Sequence, residues 1–151
     1  ATRFGFKVWY GDGRRPEILH AAGAGQAQVV MVCIGSADGS RLIAEIMREA
    51  FPNVPVMARA YDRRAALDLL RAGVVWQMRE TLESAFAFGC EGLRRLGVPE
   101  EEAVRTVNEV RRRDALRFEM QLAEGIDAGS QFFRPPQVQP EPLTPPKQVE
   151  E

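Results

Sequence analysis

A run of six consecutive apolar residues, Val29, Val30, Met31, Val32, Cys33 and Ile34, limits the folds open to this chain more than any other feature. It is far shorter than the roughly 20 residues a bilayer span requires, and a strand with one wet face would alternate apolar with polar side chains. The run suits a buried strand of a parallel sheet. A second segment, Val54, Val56, Met57 and Ala58, has the same character, so helices are expected on both faces of the sheet. Strands are expected at residues 7–10, 28–34 and 54–60, with a weaker one at 74–77. Between them lie helical stripes. Pro16 opens a short one carrying Ile18, Leu19 and Ala22, which Gly23 ends. Leu42, Ile43, Ile46, Met47 and Ala50 recur at three and four residues before Pro52, and Ala65, Ala66, Leu69 and Leu70 repeat the device before Gly73. Strands alternating with helices predict an α/β fold built from βαβ units.

After Arg79 the alternation stops and two longer helices are expected. The first runs from Thr81 as N-cap through Leu82, Ala85, Phe86, Gly89, Cys90, Leu93 and Leu96 to Gly97, with Phe88 off the main stripe. The second opens at Pro99 with Glu100, Glu101 and Glu102, whose charges suit a helix N-terminus, and continues to about Glu124. Its stripe of Ala103, Val107 and Val110 is interrupted by Arg111, Arg112, Arg113 and Asp114, a block that reads first as a solvated helix face. Six of the ten prolines fall after residue 134, so a disordered or polyproline-like tail is expected. The chain therefore divides into an α/β part at 1–78, a helical part at 79–129 and a tail at 130–151. One compact domain is what 151 residues support. The first residue is Ala1 and no secretory signal pattern follows it, so the sequence is expected to be a piece of something longer.

Several chemistries are disfavoured at once. Twenty Lys and Arg against 21 Asp and Glu leave a net charge of −1, which provides no global field for nucleic acid or an anionic membrane. The lone His20 has no neighbouring metal ligand, and Cys33 and Cys90 form neither a disulfide framework nor a zinc site. No nucleophile elbow or phosphate loop is present, so no catalytic residue is assigned. Three features point instead to the carboxyl edge of the sheet, where open α/β folds bind small molecules. These are Gly11, Asp12 and Gly13 after the first expected strand, the turn at Gly35, Ser36, Ala37 and Asp38, and Arg59 at the end of the third strand. A plain strand-to-helix turn explains Gly11 to Gly13 equally well. Arg79 and Glu80 sit where the sheet gives way to the helices, as either a salt bridge or a ligand clamp.

Over most of its ordered length the sequence resembles the cytoplasmic KTN domain, also called RCK or TrkA-N, of glutathione-gated potassium efflux antiporters of the monovalent cation:proton type. The resemblance rests on Phe4-Gly5-Phe6-Lys7-Val8-Trp9-Tyr10-Gly11-Asp12, Ala21-Ala22-Gly23-Ala24 and Phe51-Pro52 leading into Ala58-Arg59-Ala60. It continues through Arg79-Glu80-Thr81-Leu82-Glu83-Ser84-Ala85 and Arg111-Arg112-Arg113-Asp114. Two departures stand out: the family's glycine-rich phosphate turn and its acidic ribose-binding residue are absent, and its G-D-A-T turn reads Gly11-Asp12-Gly13-Arg14 here. In the family's strand order, 3-2-1-4-5-6, loss of the first βαβ unit separates residues 7–10 from the other three strands, which still form a contiguous sheet.

The resemblance implies the C-terminal part of a Rossmann-like parallel sheet, and a regulatory domain rather than an enzyme. It implies AMP or NAD(H) in the intact domain, with Gly11, Asp12 and Arg59 on the nucleotide side and none expected to bind to this fragment. It further implies a glutathione-type site at a homodimer interface formed by Phe4, Arg79, Arg112 and Asp114. A carboxylate at Asp114 would repel such a ligand unless Arg112 or Arg113 neutralises it. The implied partners are a second copy, the membrane transporter domain of the same parent chain and an ancillary oxidoreductase subunit, on the cytoplasmic side of a bacterial inner membrane. A fragment of an NAD-dependent oxidoreductase and a bare dimerisation module are the other readings.

Overall fold

The computed structural model describes residues 7–133, so Phe4 and the prolines of the C-terminal tail lie outside the described residues. The described chain runs α1 (Pro16–Ala21), β1 (Val30–Val32), α2 (Ala37–Ala50), β2 (Val56–Ala60), α3 (Arg63–Arg71), β3 (Trp76–Arg79), α4 (Leu82–Arg95) and α5 (Glu100–Glu124), with short 3-10 turns at Ala24–Gln26 and Ser130–Phe133. The helix boundaries follow local chemistry. Ser36 caps α2 by accepting the Gly39 N–H at 3.1 Å, and Asp62 caps α3 by accepting the Ala65 N–H at 2.8 Å, each satisfying a backbone donor that the first turn leaves free. Gly73 takes a φ of 103° where α3 ends, a left-handed backbone that a Cβ would strain. Thr81 stands at the N-cap of α4 as expected, but its side chain makes no capping bond; the Ser84 hydroxyl instead donates to the Thr81 carbonyl at 2.9 Å.

The three strands form one parallel sheet in the order β1-β2-β3, in the registers Val30↔Val56 and Met57↔Trp76. This is the contiguous sheet that the strand-order argument predicted. Alternation of side chains places Val32, Val56, Ala58 and Ala60 on one face, where they are buried against Ile43, Ala44 and Met47 of α2 and Ala66 and Leu69 of α3. Burying each of the valine, isoleucine, leucine and methionine side chains among them stabilises the fold by about 1.5–3 kcal/mol.

Among the described residues the other face is open, which differs from the expectation of helices on both sides. Met31, Trp76 and Met78 are 64%, 49% and 49% exposed, and with Cys33, Met57 and Arg59 they line a hollow of about 120 Å³. An unbroken apolar run records that a strand can be buried on both faces, but not which element supplies the second cover. Residues 7–10 are likewise not a strand. They pair with nothing in the sheet, and Trp9 and Tyr10 are 58% and 95% exposed; β propensity without a partner strand leaves the backbone unladdered. Of the tail expected at 130–151, Ser130–Phe133 form a 3-10 turn in which the Phe132 N–H donates to the Gly129 carbonyl at 3.2 Å, and the rest lies outside the described residues.

The two faces should respond differently to substitution. Met47→Ala on the covered face is expected to cost about 2–5 kcal/mol in urea unfolding, whereas Met31→Ser on the open face should stay within about 0.5 kcal/mol of the parent chain.

Candidate functional site

Three elements meet at the carboxyl edge of the sheet: the end of β3, the first turn of α3 and the middle of α5. Arg79 closes β3, Arg63 opens α3 directly after the Asp62 cap, and Asp114 comes from α5, 35 and 51 positions away from them in sequence. The Asp114 carboxylate accepts from both guanidiniums. Arg63 Nη2 donates to Oδ1, while Arg79 spans the carboxylate with Nη2 on Oδ2 and Nη1 on Oδ1, the latter at 3.3 Å. The side chains of Arg63, Arg79 and Asp114 are only 20%, 13% and 11% exposed. Charge-assisted forks of this kind are stronger than neutral hydrogen bonds and fix orientation as well.

A second layer on α5 supports the cluster. Phe118 lies under both guanidiniums, at 5.8 Å from Arg63 and 5.2 Å from Arg79, in cation–π contact. The fully buried Gln121 accepts from Arg63 Nη1 at 3.0 Å and donates to the Ile126 carbonyl, and its own carbonyl accepts from Arg71 at 3.3 Å. Burial pushes the Arg63 guanidinium below its ordinary value; Asp114 opposes that shift, and the like charges of Arg79 and Arg117 add to it. Beside the cluster opens a cleft of about 310 Å³, lined by Tyr61, Asp62, Arg63, Arg79, Thr81, Leu82 and Ala85. The Asp62 carboxylate is engaged by the α3 cap. Accepting a backbone N–H leaves Asp62 its negative charge at the cleft, but Arg117 acts on Arg63 as a further like charge, so three guanidiniums stand against two carboxylates, an excess suited to an anion.

Of the other arginines considered from sequence, Arg112 and Arg113 do not reach Asp114. Both turn to Glu109, at 2.9 Å and 2.7 Å, and the bonds from Arg112 and then Arg113 hold the Glu109 carboxyl at about 2. Arg111 bridges to Glu83 of α4 at 2.7 Å and stacks on Phe86 at 4.9 Å. Arg111, Arg112 and Arg113 are thus the exposed face that the charge block predicted, while Asp114 is buried beneath it. The neutralising partners are Arg79 and Arg63. Arg63 was missed by sequence reasoning, although its place one residue past a cap at the end of β2 marks the carboxyl edge. Phe118 and Gln121 also carried a signal, since they follow Asp114 by four and seven positions and so share its helix face.

The nucleotide-side residues sit apart from this cluster. Arg59 donates to the Cys33 carbonyl at 3.3 Å and pairs with Glu80 at 3.0 Å, at the end of β2. It lines a narrow crevice with Gly35, Ser40, Tyr61 and Glu80, which neither Gly11 nor Asp12 lines. Gly11 lies so close to α1 that a Cβ would meet the Ile18 side chain at 2.7 Å. The Asp12 carboxylate is gripped by Arg14 through Nε at 2.9 Å and Nη2 at 2.7 Å, and by the Arg14 N–H at 3.0 Å; the side-chain bond first and the backbone bond second lower its pKa to about 2. His20 is exposed and faces Phe51 at 6.3 Å between ring centroids. Among the described residues no group of three His, Cys, Asp or Glu side chains could hold a metal ion.

Comparison with known proteins gives three concordant findings. The TrkA-N domain family matches residues 1–76. A glutathione-regulated potassium-efflux system protein of Haemophilus influenzae is 38% identical over 126 residues, which are 83% of this chain and 20% of that protein. The chain thus spans about a fifth of the length of this curated relative. A solved structure described as the Shewanella denitrificans Kef CTD in AMP bound form is 37% identical, with a TM-score of 0.72, over 78% of this chain and 74% of that one.

Removing the shared carboxylate should be far costlier than removing a surface charge. Asp114→Ala is expected to lose about 3–5 kcal/mol in urea unfolding, because two largely buried guanidiniums lose their shared carboxylate, while Arg112→Ala stays within about 0.5 kcal/mol. In a carboxyl NMR titration Asp12 should have its midpoint at about 2, and Arg14→Ala should return it toward the ordinary aspartate range.

Proposed function

Because this chain belongs to the TrkA-N domain family, we propose that it is the ligand-sensing cytoplasmic regulatory domain of a potassium efflux system exchanging potassium for protons. The observation that carries this reading is the cleft beside Arg79, where a forked guanidinium sits at the end of β3 within a cluster of excess positive charge. A tripeptide such as glutathione presents two carboxylates, and a buried arginine fork recognises a carboxylate bidentately where a lysine would offer only a point charge. The relative from Haemophilus influenzae, named for regulation by glutathione, supports that ligand class. In this reading Phe4 packs against the ligand and Arg79 binds a carboxylate, with Asp114 of α5 behind it, and Arg112 joins them from α5 on leaving its pair with Glu109.

The mechanism is a population shift. Two arrangements of the sheet relative to α4 and α5 exchange, and a ligand biases them only through the difference in its affinity for each. Glutathione holds one arrangement, a glutathione adduct of an electrophile favours the other, and the helices carry the change to the transporter domain of the same parent chain. In the intact domain AMP or NAD(H) serves as a structural ligand on the side of Gly11, Asp12 and Arg59, a role supported by the AMP-bound state of the Shewanella structure, while this fragment is expected to bind none. The domain works as a homodimer and accepts an ancillary oxidoreductase subunit. Exposed apolar side chains along the helices, among them Phe88, Leu96, Val104 and Val110, support pairing there.

Potassium efflux from cells carrying the full-length parent with Arg79→Ala, with and without a glutathione adduct, tests the reading. Loss of one charge-assisted contact should cost roughly 1.5–3 kcal/mol and shift the activation curve about tenfold or more. An unchanged curve would leave Arg79 only its bond to Asp114. Sedimentation of this chain at tens of micromolar, roughly the range of transient interfaces, should show a dimer. A monodisperse monomer counts against the pairing.

A further inference from the structure

Asp114 is bound by Arg79 in the way a free carboxylate would be. Both nitrogens at the end of the fork are directed at its two oxygens, and Arg79 also lines the open cleft. A diffusible anion arriving in that cleft therefore meets a guanidinium already occupied by a carboxylate of the protein's own. The second arginine makes exchange feasible. Arg63 holds Asp114 independently through Oδ1, and is itself steadied by Gln121 Oε1 at 3.0 Å and by the Phe118 ring. If Arg79 turns from Asp114 to a ligand, Asp114 keeps a partner and no charge is left buried alone, which is the costly outcome for such groups. With the Asp62 carboxylate on the same cleft and Arg117 close enough to act on Arg63, the five charges carry a net of one positive unit, so a single ligand carboxylate brings the cluster to neutrality.

We propose that Asp114 is a tethered competitor for the anion site on Arg79, so that a carboxylate ligand binds by displacing it and thereby loosens α5 from β3. The inference rests on the reading of the Arg79 cleft as a ligand site and adds its specificity-determining residue. Asp114 belongs to α5 and Arg79 to β3, so exchange removes a direct ionic link between these elements while Arg63 of α3 keeps its own. A tethered group acts at a high effective concentration, of the order of millimolar for short flexible connections. The site then excludes weakly binding anions and opens only to ligands with enough further contacts to outcompete Asp114. Ligand entry and movement of the long helix become one event.

Calorimetry with glutarate and with glutathione, on the 151-residue chain and on Asp114→Asn, tests this, after thermal melting shows that the variant folds. Asn keeps the shape of the side chain and removes the competing charge. Glutarate is expected to bind the variant at least tenfold more tightly than the parent chain, and so is glutathione. Tighter glutarate with unchanged glutathione supports the tethered competitor and removes glutathione as the ligand. Equal or weaker binding of glutarate by the variant, including no binding by either protein, overturns the inference. If Asp114→Asn does not fold, hydrogen exchange on the parent chain decides. Faster exchange of the α5 amides around residues 110–121 at high glutarate supports displacement; unchanged or slower exchange overturns it.

Discussion

Asp114 ties α5 to the α/β layer, and the arrangement of everything near the carboxyl edge depends on how its charge is shared. One carboxylate accepts from a guanidinium on α3 and another on β3, with Phe118 beneath both and Gln121 a turn further on. Such a cluster gives little net stability relative to a packed apolar core, yet losing one member is expensive, so it specifies position more than it adds stability. It holds the long helix against the end of the sheet, beside a cleft of about 310 Å³.

Charge on α5 is divided by face. Arg112 and Arg113 are spent on Glu109 in exposed pairs, where solvent screens the attraction, and Arg111 reaches across to Glu83 and Phe86 to hold α4 against α5. Of residues 111–114, only Asp114 turns inward. A block of four charged residues thus does three separate jobs because a helix rotates each successive side chain by about 100°.

The sheet shows a different economy. One face has a continuous core from Val32 to Val74, packed by α2 and α3, while Met31, Trp76 and Met78 on the other face stay open among the described residues. The likeness to TrkA-N domains, matched at residues 1–76, fits the parallel order, while the likeness to the Kef structure, over 78% of the chain, reaches beyond that match. The curated relative is about five times as long as the matched segment, so the domain sits within a larger protein there.

Much of this was legible before any coordinates. The apolar runs around β1 and β2, the stops at Gly73 and Pro52 and the helix from Pro99 to Glu124 are decided by neighbours within a few residues, and local sequence records local chemistry. Membership of a family was legible too, because its motifs are contiguous blocks. The segment at residues 7–10 was misread because strand propensity becomes a strand only where another backbone offers hydrogen bonds, and none pairs with it among the described residues. The uncovered sheet face was misread for a related reason: hydrophobicity states a demand for cover without naming its source. The site depended on tertiary structure most of all. Asp114 has three arginines immediately before it, yet its partners lie 35 and 51 positions away, because side chains adjacent on a helix diverge while Coulomb attraction acts through the distances that folding sets.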